Sequence, residues 1–155
     1  ILSAIGTLTG SHRFFSHQSF KAKWQLRVLL CILQTLSGQK SIIEWAREHR
    51  THHKYTGTDA DCVNINRGFF FAHMGWLMIK MHPECEAKMK ECNLNDLWSD
   101  PIVRFQYDYY VPLFILINIL IPTLLPCYLF DESFIVCFFG IFILRYVYTL
   151  HISFC

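Results

Sequence analysis

The sequence predicts an all-α integral membrane protein whose spanning helices carry a histidine-rich metal-binding region at one membrane face. Three observations predict it. Two long apolar stretches, 109–130 and 133–155, are separated only by the polar pair Asp131-Glu132. Five of the 8 histidines fall into two compact groups, His12 with His17, and His49 with His52 and His53. Of 14 lysines and arginines, all but Arg145 lie between Arg13 and Arg104, outside the two apolar stretches.

The first ten residues, Ile1 to Gly10, are mostly apolar and read as the last turns of a spanning helix cut by the chain's start; this segment is bounded at 1–11. Residues 12–108 hold both histidine groups and nearly all the charge. Within them, Trp24 to Gly38 is too short for a comfortable span and carries Arg27 near its start. It reads as a helix lying against the membrane or packed in the polar region, with Gly38 as its stop. Ser41-Ile42-Ile43-Glu44 has the spacing of a capping box, so a new helix starts there, runs through the second histidine group and ends before Gly57. Residues 57–67 are rich in Gly, Asp and Asn and read as loop. Phe69 to Met81 is expected to form one further helix, and Pro83 to Asp100 a charged, surface-exposed stretch.

From Tyr109 to Phe130 there is no charged residue. A span needs ~20 apolar residues rising ~1.5 Å each, and prolines such as Pro112, Pro122 and Pro126 are tolerated there. The second stretch, 133–155, is broken only by Arg145 and His151. Joined by a tight turn, the two form a transmembrane hairpin. Arg13, Lys21, Lys23 and Arg27 follow the first apolar segment and Arg104 precedes the next, whereas the Asp131-Glu132 turn has no basic residue. Basic residues flanking spans favour the cytoplasmic side, which places both histidine groups there.

Hydrophobic residues make up 53% of the 155-residue chain, above the ~45–50% of ordinary globular proteins. The net charge of +2 and the acidic residues interleaved with the basic ones argue against a nucleic-acid partner. The 7 cysteines form no C-x-x-C pair, and several sit in apolar runs, so neither a disulfide framework nor a zinc ribbon is expected.

Neutral imidazole offers a lone pair near pH 7 and is the commonest metal-ligating side chain. On a helix advancing about 100° per residue, His49 and His53 share a face and His52 lies about 60° to the other side of His49. Such a fan can feed two neighbouring metals, or one metal and a nearby ligand. His12 and His17, five apart, diverge by about 140° on a regular helix. They therefore serve different metals, or sit where the helix departs from regular geometry. Imidazoles suit zinc, copper, nickel and iron alike. His73 and His82 are expected to pack or hydrogen-bond locally. His151, inside an apolar segment, is rarer and marks a possible functional position.

At these residues the chain resembles a known family. Gly10-Ser11-His12-Arg13-Phe14-Phe15-Ser16-His17 is similar to the first histidine box, H-x4-H, of the membrane acyl-CoA desaturases, and Trp45 through Lys54 to their second, H-x-x-H-H. Arg67 to Phe71, His73 to Trp76 and Asp100 to Val103 also resemble family segments in order, so the likeness covers essentially the whole chain. It is strongest to animal stearoyl-CoA (delta-9) enzymes, including their insect branch. The resemblance implies four spanning helices carrying a cytoplasmic di-iron domain in the endoplasmic reticulum membrane. It further implies O2-dependent desaturation of a fatty acyl-CoA, with electrons from cytochrome b5. By resemblance His12, His17, His49, His52 and His53 are iron ligands. Arg47 and Glu48 match an Arg-Asp pair near the CoA headgroup, and Lys80 a basic position there, while Met81 replaces a second one. Gln39, Trp45 and Trp76 match residues lining the acyl tunnel. Cys62 stands where proline is usual and His151 where asparagine is usual.

A third histidine box and an N-x-x-x-H element would fall beyond Cys155. Five imidazoles cannot complete two irons, so the 155-residue stretch alone is expected to be inactive. Three other readings compete: a fatty-acid or sterol hydroxylase, a non-catalytic truncated relative, and a metal transporter. The last would need ligands at bilayer depth, whereas these flank the membrane.

Overall fold

The computed structural model describes residues 1–153, and every described regular element is helical. The last two positions of the second apolar stretch, Phe154 and Cys155, lie outside the described residues. Helix α1 (residues 2–16) starts with α bonding over Leu2–Ile5 and continues with π-type bonding over Gly6–Ser16. It packs along α2 (Trp24–Ser37), and the two backbones approach closely at Gly6. A Cβ there would lie 2.2 Å from the Leu33 carbonyl carbon and oxygen, so any larger residue forces the helices apart.

Helix α3 (Ile42–Tyr55) begins as its sequence predicts. The Ser41 hydroxyl accepts from Glu44 N at 3.3 Å, and the Glu44 carboxylate accepts from Ser41 N at 3.1 Å. Two orphan donors at the helix start are thereby satisfied. A third, Ile42 N, donates to Gln106 Oε1 at 3.0 Å, while Gln106 Nε2 donates to Thr35 Oγ1 at 3.2 Å. One buried amide thus ties the end of α2 to the start of α3. The apolar core lies at this junction, built from Phe15, Leu30, Ile42, Ile43, Ala46 and Val103 with Leu94 and Leu97.

Beyond α3 the structure corrects two sequence expectations. The single helix expected over Phe69 to Met81 is interrupted: α4 (Phe69–His73) stops at Met74, whose φ of −148° leaves the helical region, and a 3₁₀ turn follows over Gly75–Met78. Gly75 packs under the Phe70 ring, where a Cβ would meet ring carbons at 3.3 Å. The segment 83–100 is only partly exposed. It forms α5 (Pro83–Lys90) and α6 (Asn95–Trp98), and Cys85, Leu94 and Leu97 are buried.

Helix α7 (Pro101–Asp108) starts from an Asp100 cap, whose carboxylate accepts from Ile102 N at 3.0 Å, and Asp100 also pairs with Arg27. Then come the two long apolar helices, α8 (Tyr110–Phe130) and α9 (Phe134–Ser153), each long and apolar enough to cross a membrane. Asp131 turns the chain between them in a left-handed conformation, φ 53°. Their surfaces are largely exposed, with Tyr128, Phe130, Ile135 and Leu144 facing outward. A hydrocarbon solvent would accept such faces and water would not.

Asn118, Thr123 and Thr149 of these helices are buried, and Arg145 also points inward. Arg145 of α9 donates to the Leu36 carbonyl, to Ser3 Oγ at 3.1 Å and to Asn118 O at 2.9 Å. Asn118 of α8 donates to Leu36 O at 2.8 Å. The carbonyl end of α2, where the helix dipole is negative, therefore meets a cation from α9 and an amide from α8. Gly38 caps α2 at φ 72°, and a Cβ there would lie 2.6 Å from Asn118 Nδ2 and 2.7 Å from the Tyr146 ring.

Candidate metal centre

The C-terminal end of α1 and the second half of α3 bring four imidazoles together. One ring nitrogen from each of His12, His17, His49 and His53 lies within 4.8 Å of the other three. His17 Nε2 and His49 Nε2 are 3.0 Å apart. The ring centroids of His12 and His49 are 4.6 Å apart, and those of His17 and His53 also 4.6 Å. Sequence geometry sends His12 and His17 in different directions on a regular helix; π-type bonding resolves this. An i→i+5 bond stacks residues five apart, and His17 N donates to His12 O at 3.1 Å.

Arg50 holds the two helices in this register. Its guanidinium donates to Phe15 O at 2.8 Å and Ser16 O at 3.1 Å, just before His17. It also forms a forked pair with Asp96, at 2.9 and 2.7 Å. This pairing holds the Asp96 carboxyl below its ordinary range, chiefly through the hydrogen bonds from Arg50. Its sequence position, between His49 and His52, is the one signal that sets Arg50 apart.

His52 lies to the side of this quartet, its ring 5.5 Å from that of His53. Its Nδ1 is 2.8 Å from Asp61 Oδ1. Asp61 is buried, and its carboxylate also accepts from Val63 N and Gly57 N, both at 3.0 Å. A buried acceptor on one ring nitrogen fixes the tautomer and leaves the other nitrogen available as a ligand. Sequence offers little to find Asp61, one acid among several polar loop residues.

Burial and the crowd of neighbouring imidazoles favour the neutral form of His12, His49 and His53. His49 is pushed down to about 3, first by burial and then by His12, His53, His17 and His52. Burial likewise lowers His12 and His53. Convergent imidazole nitrogens are what a borderline metal requires, so the quartet could hold one ion, and Asp61 orients His52 beside it.

A largely apolar cavity of about 380 Å³ opens beside the cluster. His12, His49 and His52 line it, as do Trp45, Glu48 and Trp76. Trp45 stacks on His49 at 4.7 Å, and its Nε1 donates to Gln39 Oε1 at 3.4 Å. Burial raises the Glu48 carboxyl above its ordinary range against the opposing pull of Lys40, with which it is paired. Lys40 Nζ also lies 5.1 Å from the Trp76 ring centre. Gln39, half-buried Arg47 and exposed Lys80 lie outside the cavity wall.

Two further side-chain pairs depart from the sequence reading. His73 and His151, expected to act locally or alone, approach across 78 positions, Nε2 to Nδ1 at 2.9 Å. Cys62 and Cys85 are disulfide-bonded, with Cα atoms 5.8 Å apart, a single pair in a chain for which the sequence predicts no disulfide framework. No spacing rule reveals that pair; it forms because α5 packs back against α3 and its loop.

Fold and site together define a class of helical proteins with a multi-histidine cluster able to hold a metal beside two membrane-competent helices. The fatty acid desaturase family profile matches residues 2–154. The chain belongs to the fatty acid desaturase family. It is 44% identical over 155 residues to the Delta(9)-fatty-acid desaturase fat-7 of Caenorhabditis elegans, covering 100% of this chain and 46% of that one. It is 43% identical over 153 residues to stearoyl-CoA desaturase 5 of Bos taurus, covering 99% and 46%. With the acyl-CoA Delta12-desaturase of Acheta domesticus it shares 48% identity over 132 residues, covering 85% and 37%. The chain thus spans about half, or less, of the length of these curated relatives.

Proposed function

We propose that the protein containing this chain desaturates a fatty acyl-CoA with O2 at a di-iron centre. The double bond enters at delta-9 or a related position. The observation that carries this reading is the convergence of His12, His17, His49 and His53, of which His12 and His49 line an apolar cavity, in a chain of the desaturase family.

Two irons would be held by those four residues and His52, with further ligands from outside residues 1–155. Bound iron would supply the oxidising power that no side chain has for an unactivated C–H bond. The chain's own residues do the rest. Asp61 orients His52, and Arg50 sets the register of the two ligand helices. Trp45 and Trp76 line the acyl path near the metals and keep water out, and Gln39, behind that wall, holds the Trp45 indole. Arg47, Glu48 and Lys80 meet the CoA headgroup, where cations suit phosphates.

Residues 1–11 end one span, 12–108 form a cytoplasmic domain with the first two histidine boxes, and 109–130 and 133–155 are spans of a four-span protein. Its membrane is that of the endoplasmic reticulum, and cytochrome b5 is the electron donor. The basic residues flanking the apolar segments support the cytoplasmic placement.

The test is expression of the natural full-length polypeptide in a host lacking its own desaturase, with mass spectrometry of the acyl chains. A new monounsaturated chain is expected, absent with His49→Ala. A hydroxylated chain would instead make the protein a hydroxylase, and no new product would refute the oxidative reading.

A further inference from the structure

We infer that Cys62 and Cys85 form a thiol–disulfide exchange site that controls how firmly the loop beside the histidine cluster is held, its exchange partner being a small disulfide of the glutathione class. The inference rests on the proposed function for its cytosolic setting, and on the geometry for the rest. Cys62 follows Asp61 directly and lies on the wall of the metal-side cavity, while Cys85 sits on α5. Their Cα separation of 5.8 Å lies within the range that a disulfide spans without backbone movement.

The loop's hydrogen bonds fold it upon itself. Asn64 Nδ2 donates to Thr58 O and Asn66 Nδ2 to Gly57 O, both at 2.8 Å, and the Asp61 carboxylate accepts from Gly57 and Val63. Two bonds from the loop reach a candidate ligand, that of Asp61 to the His52 ring and that of Thr56 Oγ1 to the His52 carbonyl, and of the two only the Asp61 bond touches a ligating ring. The covalent tie from this loop to α5 is the sulfur pair, and Cys62 Sγ also lies 3.5 Å from Met89 Sδ of the same helix. Asp61, the residue that orients His52, is therefore held from one side by a bond that a redox couple can make or break.

On a cytosolic face thiols are kept reduced, so a disulfide there is a transient, responsive one rather than a permanent staple. The exchange balances. One cysteine thiolate attacks the small disulfide RSSR, forming a mixed disulfide and releasing one thiolate. The second cysteine then displaces the other. Two protein thiols become one S–S bond, and RSSR takes the two electrons and two protons to leave as two RSH. Both sulfurs are buried, so exchange follows opening of the loop, and Cys62 at the cavity wall is the one that an entering disulfide reaches.

The test uses the natural full-length polypeptide in lipid nanodiscs, equilibrated across ratios of reduced to oxidised glutathione. Differential alkylation with mass spectrometry reads each cysteine, and backbone hydrogen exchange reads residues 56–64. Cys62 and Cys85 are expected to be linked at oxidising ratios and alkylated at reducing ones. Cys31, Cys92, Cys127 and Cys137, which are thiols in the structure, stay alkylatable throughout. Loop exchange is expected to be severalfold faster in the reduced protein, and equally fast at every ratio in the Cys62→Ser/Cys85→Ser variant. Alkylation of both cysteines at all ratios overturns the exchange site. Linkage with unchanged loop exchange overturns its hold on the loop. Neither readout needs turnover or iron, so their failure leaves the desaturase reading intact, and failure of that reading leaves these readouts meaningful.

Discussion

The backbone N–H of His17 donates to the carbonyl of His12 at 3.1 Å, five residues back rather than the four of an α-helix. That one-residue change of register turns two divergent histidines into neighbours, with ring centroids 4.7 Å apart. Their spacing in sequence is thus matched to the local backbone. Inserting one alanine between Arg13 and Phe14 makes the spacing six and rotates His17 away from the cluster. Metal content of the purified full-length protein, read by elemental mass spectrometry, is expected to fall at least as far as in His17→Ala. Unchanged metal content would show that the register is not needed.

Asp61 is expected to matter to metal affinity although it lies outside the imidazole cluster. Loss of an outer carboxylate partner of a ligating histidine costs about 10–100-fold in metal affinity. Asp61→Ala should fall in that range. Asp61→Asn keeps one acceptor oxygen for His52 and Val63 N but loses the bond from Gly57 N, and should lie between it and the native protein. Competitive titration with a chelator measures both, and native-like affinity of Asp61→Ala would remove Asp61 from the site.

Arg50 donates to two carbonyls at the end of α1 and to both oxygens of Asp96. Charged hydrogen bonds are worth roughly 1.5–3 kcal/mol each, less where water competes, and Asp96 is partly exposed. Arg50→Ala is expected to lower stability by about 2 kcal/mol and to loosen the approach of His17 to His49. Arg50→Lys cannot reproduce the fork and should recover only part of the loss. Thermal unfolding in detergent, with metal affinity measured alongside, checks both effects.

The metal-free protein should lose stability as the solution is acidified from near neutrality. Folding holds His49 down to about 3, below its ordinary 6.5, and also lowers His12 and His53. Above about 6.5 both folded and unfolded forms are neutral at these rings, and the imidazoles contribute no slope. Below it the unfolded chain binds more protons than the folded one, so stability falls as pH drops toward about 3. Chemical denaturation of the chelator-treated protein from pH 8 to pH 5 should show stability flat at first, then falling. His49→Gln should flatten that fall, and an unchanged slope in that variant would assign the effect to other groups.

Local pattern alone determined much of this molecule. Ser41 and Glu44 form a cap from spacing four residues long, and α3 carries His49, His52 and His53 on adjoining faces because helical periodicity requires it. The two apolar helices follow from composition, since a run of uncharged residues has one stable way to satisfy its backbone in hydrocarbon. The chemistry of the site, imidazole in two groups, is also written in residue identity. Four other features were decided only in three dimensions. The π register of Gly6–Ser16 is seen only in the folded backbone, and the pairing of His52 with Asp61 depends on the path of a loop. The Cys62–Cys85 bond depends on α5 folding back, and the place of Arg145 on the meeting of α9 with the end of α2. Each joins residues whose partners are chosen by how whole helices pack. Burial free energy is summed over many such contacts, and no short window of sequence contains that sum.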